Sequence, residues 1–402
     1  MRNISCALAL LSGLGLVVGC SSNTPSLVRT SPTSGPLSPL LATQTNATSG
    51  NAVLTYARNA DGSLTSIGSF PTGGTGVGLP SSGLPFPIGG ATGAVAFSPD
   101  GTHLYAADAG SDDIAAFTVS PLGTLSLIGR VPTGGTSPGS ITIDRSARYL
   151  NVLNTGSLPS GNNAPGGISG FTIATNGSLS PIAGSTQALS AAQYVDPSEI
   201  AFSPDGSYLA ATEKATSLID IFPVPGGVAG PATSSPSTGK IPFGFEFTPS
   251  GTLVVSNAES TQSVTASTVS SYSANASGTL TVISGAVPDD QGAACWIALT
   301  SNGAFAYATN TLSGSISGYT VGSNGSLTLL TPGGVTAAQP NTTGPIDDVV
   351  TPDNKSLYVI NSMAGKAPGA IAGFAIGSDG SLTSIPTNVT GLLPGSLGLA
   401  VR

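Results

Sequence analysis

FSPDGTHLYAADAGSDDIAAFTVSPLGTLSLI, residues 97–128, reads as strand, turn, strand, loop, strand, tight turn, strand. The first turn is Ser98-Pro99-Asp100-Gly101, and Leu104 to Asp108 forms the strand that follows it. Phe117 marks the third strand, and Leu122-Gly123-Thr124-Leu125 turns the chain into the fourth. Turns built on Pro-Asp-Gly and Leu-Gly, between short runs of β-branched and aromatic residues, favour antiparallel hairpins.

The same unit recurs along the whole chain. Tyr56, Phe117, Phe171, Phe222, Tyr272, Tyr319 and Phe374 follow one another at intervals of 47 to 61 residues. The first turn returns at Ser203-Pro204-Asp205-Gly206 and Thr248-Pro249-Ser250-Gly251, with looser copies starting at Ile143, Leu299 and Val350. The second strand returns as LNVLN (150–154), LAATE (209–213), LVVSN (253–257), AYATN (306–310) and LYVIN (357–361). The last turn returns as Asp61-Gly62, Asn176-Gly177, Ser277-Gly278, Asn324-Gly325 and Asp379-Gly380, each followed by Ser or Thr and then Leu. The fourth repeat departs from this with Pro223 and Pro225-Gly226-Gly227, which predicts an irregular outer hairpin. A period near fifty residues with four strands per unit predicts an all-β, seven-bladed propeller of four-stranded antiparallel blades.

The termini complement each other. Leu397 to Arg402 supplies only an innermost strand, and residues near 40 to 70 supply only the other three. One C-terminal strand joined to three N-terminal strands closes the ring and removes a free edge.

Composition agrees. The 402 residues include 55 Gly and 31 Pro, which disfavours helical classes. Only 11 residues are Lys or Arg, scattered singly on a chain of net charge −8, so no basic stripe exists for nucleic acid. Residues 1–19 read as a secretory signal with Arg2 ahead of an apolar stretch, ending in a lipobox-like Val17-Val18-Gly19 before Cys20. Cys20 is the expected lipidation site, residues 20–38 a Ser/Thr/Pro-rich tether, and residues 39–402 the propeller. The expected location is the cell envelope, at the outer membrane in a Gram-negative source because Ser21 rather than Asp follows the cysteine. Cys295 is then the one thiol of the folded domain, and no intramolecular disulfide can form.

The Ser-Pro-Asp-Gly turn, the LYVIN-type strand and the Asn-Gly-Ser-Leu hairpin closely resemble the lactonase-type seven-bladed propellers. That group contains the 6-phosphogluconolactonases and the YVTN-repeat surface proteins, and the resemblance covers about residues 40–402. It implies a catalytic mouth of histidine, arginine and glutamate at the central channel. The single histidine, His103, instead begins an ordinary second strand, where other repeats place Tyr149, Tyr208 and Phe305. Glu213 lies near the family's Asn-Glu pair but takes the Asn place.

The innermost strands offer the remaining site candidates. Aligned on Pro138, Pro197, Pro242, Pro345 and Pro394, with Thr92 and Ala294 in the other two places, their next two positions are mostly small. The exceptions are Glu199, Phe243, Cys295, Trp296 and Asp347, with Glu246 two residues further along its strand. Two carboxylates beside the only Trp would make a concave ligand site. Each also has a structural reading: solvated carboxylates at a channel mouth, Phe243 and Trp296 as filler between blades, Cys295 as a small buried residue, Glu246 paired with Lys240, His103 and the Arg145/Arg148 turn as surface. No Asp-x-Asp-x-Asp-Gly loop, Cys/His cluster, phosphate-binding loop or Gly-x-Ser-x-Gly elbow occurs, so no metal or cofactor is expected.

Three functions remain open on this reading: a monomeric envelope propeller that binds a ligand, protein or glycan; a lactone hydrolase in which Glu199, Asp347 or Glu213 activates water; and a structural surface protein. The first is the expectation, because the family's histidine is missing and the cations are dispersed.

Overall fold

The computed structural model describes residues 37–402 except 79–92, 157–164, 191–194, 261, 262, 264, 275, 276, 340–343 and 363–367. The signal segment, Cys20 and nearly all of the tether lie outside the described residues. The unit from Pro36 to Arg402 consists of seven antiparallel sheets with no α-helix among the described residues.

Blades are numbered by their innermost strands: Val95–Phe97 (blade 1), Pro138–Ile143 (2), Pro197–Phe202 (3), Pro242–Phe247 (4), Ala294–Leu299 (5), Pro345–Val350 (6) and Leu397–Val401 (7). Blade 7 is the closing blade, in which Leu397–Val401 pairs with Leu40–Gln44, and Ala52–Arg58 and Leu64–Pro71 complete the sheet. In blades 2 and 5 the outer strand is interrupted, running as Leu179–Pro181 with Gln187–Ala188 and as Leu327–Leu329 with Ala337–Ala338. In blade 3 the outer hairpin contains the 3-10 turn Pro225–Gly227, the irregularity that its prolines predict.

The repeating aromatic has one structural task. Phe117 lies opposite Leu104, Phe171 opposite Leu150, Phe222 opposite Leu209, Tyr272 opposite Leu253 and Phe374 opposite Leu357, all buried. These five pairs belong to five apolar clusters, each spanning two neighbouring blades, while a further cluster around the axis draws on blades 4 to 7 and 1. The core therefore lies between blades, and no blade can bury its faces without a neighbour.

The Gly turns connect blades as well as strands. Gly62 has φ +82, which an L side chain seldom adopts, and a Cβ there would meet Ile385 of blade 6. Its carbonyl accepts the Tyr358 hydroxyl at 2.8 Å. Tyr105 reaches the Gly177 carbonyl at 3.0 Å and Tyr307 the Gly380 carbonyl at 3.0 Å in the same way. Each is a hydroxyl of one blade donating to the outer turn of the next.

One alignment needs correction. Leu397 lies opposite Gln44 as Pro345 lies opposite Asn361 and Pro242 opposite Asn257. The strand of blade 7 thus begins at Leu397, three residues beyond Pro394, and the places assigned to Gly395 and Ser396 belong to Gly398 and Leu399. Proline marked the loop before this strand rather than its first residue.

Candidate functional site at the propeller axis

The innermost strands approach closely around the axis. A Cβ on Gly244 would come within 2.9 Å of the Cys295 carbonyl oxygen and 3.0 Å of Trp296 Cα, so only glycine fits between blades 4 and 5. Such proximity explains why most side chains here are small.

The axial carboxylates act across the gaps between blades. Glu199 of blade 3 accepts the N–H of Phe245 of blade 4 at 2.6 Å. Glu246 of blade 4 accepts the N–H of Leu299 of blade 5 at 2.7 Å. Asp347 of blade 6 accepts the N–H of Leu399 of blade 7 at 2.9 Å and, through its other oxygen, the N–H of Asp348 at 2.9 Å. Ser140 serves the same purpose between blades 2 and 3, accepting the Ile200 N–H at 3.2 Å. Backbone donors that have no ladder partner between blades are satisfied by these side chains.

None of the three carboxylates is a solvated group. Asp347 is 1% exposed, and burial pushes its carboxyl up to about 8 despite the two amide donors. Burial likewise pushes Glu246 up to about 7. Glu246 bonds to the Leu299 amide, and no ion pair joins it to Lys240 among the described residues.

Asp348 differs from the other three. It is 7% exposed, and neither carboxyl oxygen has a hydrogen-bond partner. Burial, then the neighbouring charges of Asp347, Glu246 and Glu199, hold its proton well above the usual carboxylate range. In the sequence it directly follows Asp347 and is not among the site candidates. The available signal was its column: the equivalent residues are Val95, Ile141, Ile200, Phe245 and Ile297, all apolar.

Phe243 and Trp296 meet, with ring centroids 4.9 Å apart, and each is 1% exposed. They belong to the apolar cluster that includes Ile346 and Leu399, so packed side chains occupy the axis at this level. Lys214 lies with its ammonium 4.5 Å from the Phe243 ring centre and 3.2 Å from an Asp196 oxygen. Cys295 is wholly buried, and burial pushes its thiol up to about 12, leaving no thiolate at neutral pH. The Trp296 indole N–H is buried with no partner.

Glu213 is engaged within its own blade. It accepts the Ser190 N–H at 2.8 Å, the Ser190 hydroxyl at 2.5 Å and the Thr216 hydroxyl. Its neighbour Asp220 is pushed up to about 7 by burial and by the hydrogen bond to Glu213. His103 lies against the outer turn of blade 2, where a Cβ on Gly177 would strike its ring.

The structure thus brings Glu199, Glu246, Asp347 and Asp348 into one another's field, and gathers Phe243, Cys295 and Trp296 into one packed cluster. Glu213 stays apart from both groups in its bonding. Among the described residues, no three His, Cys, Asp or Glu side chains are grouped to hold a metal ion. Chemically, the axis offers protonated or amide-bound carboxyls and one unpartnered acid.

The architecture has many relatives among solved structures. The Pseudomonas aeruginosa periplasmic gluconolactonase is 17% identical with a TM-score of 0.67, covering 90% of this chain and 98% of its own. A Bacteroides uniformis protein provisionally named 6-phosphogluconolactonase is 20% identical at TM-score 0.66, with 92% and 100% covered. A Lactobacillus plantarum protein is 18% identical at TM-score 0.66, with 91% and 99% covered. At such identities these likenesses establish the fold alone. No curated protein sequence matches the chain. The profile of the family described as Lactonase, 7-bladed beta-propeller matches residues 47–158 and 166–287, more than half of the chain, and the protein belongs to that family.

Proposed function

We propose that this lactonase-family propeller is a binding module, held at the cell envelope by lipid on Cys20, whose ring presents a surface to a ligand, protein or glycan. One observation carries the reading: three of the four axial carboxylates are hydrogen-bonded to backbone amides, two of them bridging neighbouring blades and Asp347 doing so with one of its oxygens. Hydrolysis of a lactone develops negative charge on the carbonyl oxygen and needs donors or cations aimed at it. The axial carboxylates Glu199, Glu246 and Asp347 are taken up by backbone amides, and Lys214, the cation beside Phe243, is paired with Asp196.

A second reading rests on Asp348. A carboxyl whose pKa is raised and whose oxygens have no partner is suited to serve as a general base near neutral pH. In that case the protein hydrolyses a lactone, as the names of its structural neighbours would imply. The experiment is hydrolysis of a panel of simple, sugar and phosphorylated sugar lactones by the full chain beside its Asp348→Asn variant. No turnover above the spontaneous rate is expected. Turnover that disappears in the variant would establish the second reading and overturn the first.

A further inference from the structure

The face carrying the Ser-Pro-Asp-Gly turns bears a groove across blades 2, 3 and 4. It consists of two depressions of about 450 and 350 Å3, and Arg145, Pro204 and Asp205 line both, so they are continuous. One wall is the irregular hairpin of blade 3. Elsewhere a Gly turn receives the ring at the start of the preceding blade's second strand, as Gly177 receives His103 and Gly380 receives Phe305. Here the ring is Tyr149, and a Cβ on Gly227 would lie 2.2 Å from it. The one repeat that abandons the Gly-Ser/Thr-Leu turn is therefore the one that shapes this groove.

Arg130 is paired with Asp113 and Lys214 with Asp196, while Arg402 donates to backbone carbonyls. Arg145 and Arg148 make no ion pair among the described residues and are exposed. The acids nearby are already engaged. Asp144 accepts the N–H groups of Arg148 at 2.7 Å and Tyr149 at 2.6 Å, together with Ser146. Asp205 accepts the hydroxyl of Ser203 at 2.7 Å and the N–H of Ser207 at 3.0 Å. Arg148 donates its Nε–H to the Ser146 hydroxyl at 3.0 Å and lies 5.2 Å from the Tyr149 ring centre, so Arg145 is the open guanidinium of the groove, on a chain of net charge −8. The remaining lining mixes serine and threonine hydroxyls with apolar Phe202, Pro204, Val224 and Pro249 and the half-buried tyrosines Tyr149 and Tyr208.

We propose that this groove binds an acidic oligosaccharide, with a sugar carboxylate on Arg145, a ring face against Tyr208 and sugar hydroxyls on the serines. Guanidinium recognises carboxylate through paired charge-assisted hydrogen bonds. The aromatic face and short hydroxyls suit the alternating apolar and polar surfaces of a sugar. The inference rests on the binding-module reading and names the ligand class of that surface.

Calorimetric titration of the full chain tests it with three probes: trigalacturonate, its methyl ester and inorganic phosphate. Trigalacturonate is expected to bind saturably, and the uncharged ester about tenfold more weakly or worse. Arg145→Gln is expected to cost about tenfold, whereas Lys355→Gln, which removes the same charge from an exposed turn of blade 6, leaves affinity within about twofold. Circular dichroism of each variant checks that the fold persists. Absence of saturable binding, equal binding of the ester, an unaffected Arg145→Gln protein, or phosphate binding as tight as trigalacturonate would each overturn the proposal. Lactone turnover would overturn the binding-module reading instead, whatever the glycan does, so the two failures are distinguishable.

Discussion

Asp108 and Asp113 are register partners beside the turn of a hairpin in blade 1, and each keeps one buried carboxyl oxygen without a hydrogen-bond partner. Asp113 gives its other oxygen to Arg130 at 2.6 Å, and Asp108 accepts Asn51 and Thr72 at 2.8 Å each. Burial, with the charge of Asp113 beside it, pushes Asp108 up to about 7.

Stability should therefore fall as pH rises. Asp108, Asp220 and Glu246 titrate at about 7 and Asp347 at about 8 in the folded protein, against ordinary values of 3.8 to 4.5. The folded state binds these protons more tightly than the unfolded chain does. The stabilisation is complete below the unfolded values and is lost as pH passes through the folded ones. The urea midpoint is expected to decline from pH 5 to pH 8.5, by a few kcal/mol in total. A midpoint that rises over that interval would contradict the assignment of protons to these sites.

Asp348→Val restores the apolar residue that the other blades carry in this column. It removes a buried acid without partners and is expected to stabilise the protein by about 1–3 kcal/mol at pH 8. The gain should shrink toward pH 3, below the ordinary value of 3.8, where the acid is largely neutral in both states. Thermal unfolding at the two pH values reads both effects.

Loss of the closing strand should be far more damaging than loss of any one contact in it. Leu397–Val401 covers the inner edge of Leu40–Gln44, and Leu40 and Arg402 exchange two backbone hydrogen bonds at 3.2 Å. Deleting residues 397–402 leaves that edge unpaired and is expected to give aggregates on size exclusion. Arg402→Ala, which removes bonds to the Ser38 and Ser120 carbonyls, should remain monodisperse and lose about 1–3 kcal/mol.

Trp296 offers a direct probe of the axis. Its indole N–H has no partner, so Trp296→Phe loses no hydrogen bond and should cost less than about 2 kcal/mol. Trp296→Ala opens a cavity against Phe243 and should cost about 3–5 kcal/mol. As the only tryptophan, it should emit at short wavelength when folded and shift to the red on unfolding.

The seven aromatics and the complementary termini made the ring legible, because each repeat must bury the same Leu-aromatic pair against a neighbour. The contact of Phe243 with Trp296 and the inertness of Cys295 were legible too, since large apolar groups on converging strands have nowhere else to go. The direction of the axial carboxylates was not. In blades 2 to 6 the pairing register slips near the start of the innermost strand, for example between Pro197 and Ile200. A slip of one residue defeats simple alternation, so sequence gave no means of seeing that Glu199 and Asp347 turn toward the next blade's amides. The groove at Arg145 was hidden for another reason: its wall is a departure from the repeat, and a departure has no pattern to align.

The hydroxyl bonds from Tyr105, Tyr307 and Tyr358 to the following blade's glycine carbonyl each consist of a donor in one unit and an acceptor in the next. Units of this kind carry the donor on one flank and the acceptor on the other, whereas blades 2, 3 and 4 place Asn151, Ala210 and Val254 at the donor position. Duplication of such a unit preserves its seams automatically, and the chain could start at another loop without breaking one. The position of the first and last residues is then an accident of history, and the circle itself is the heritable object.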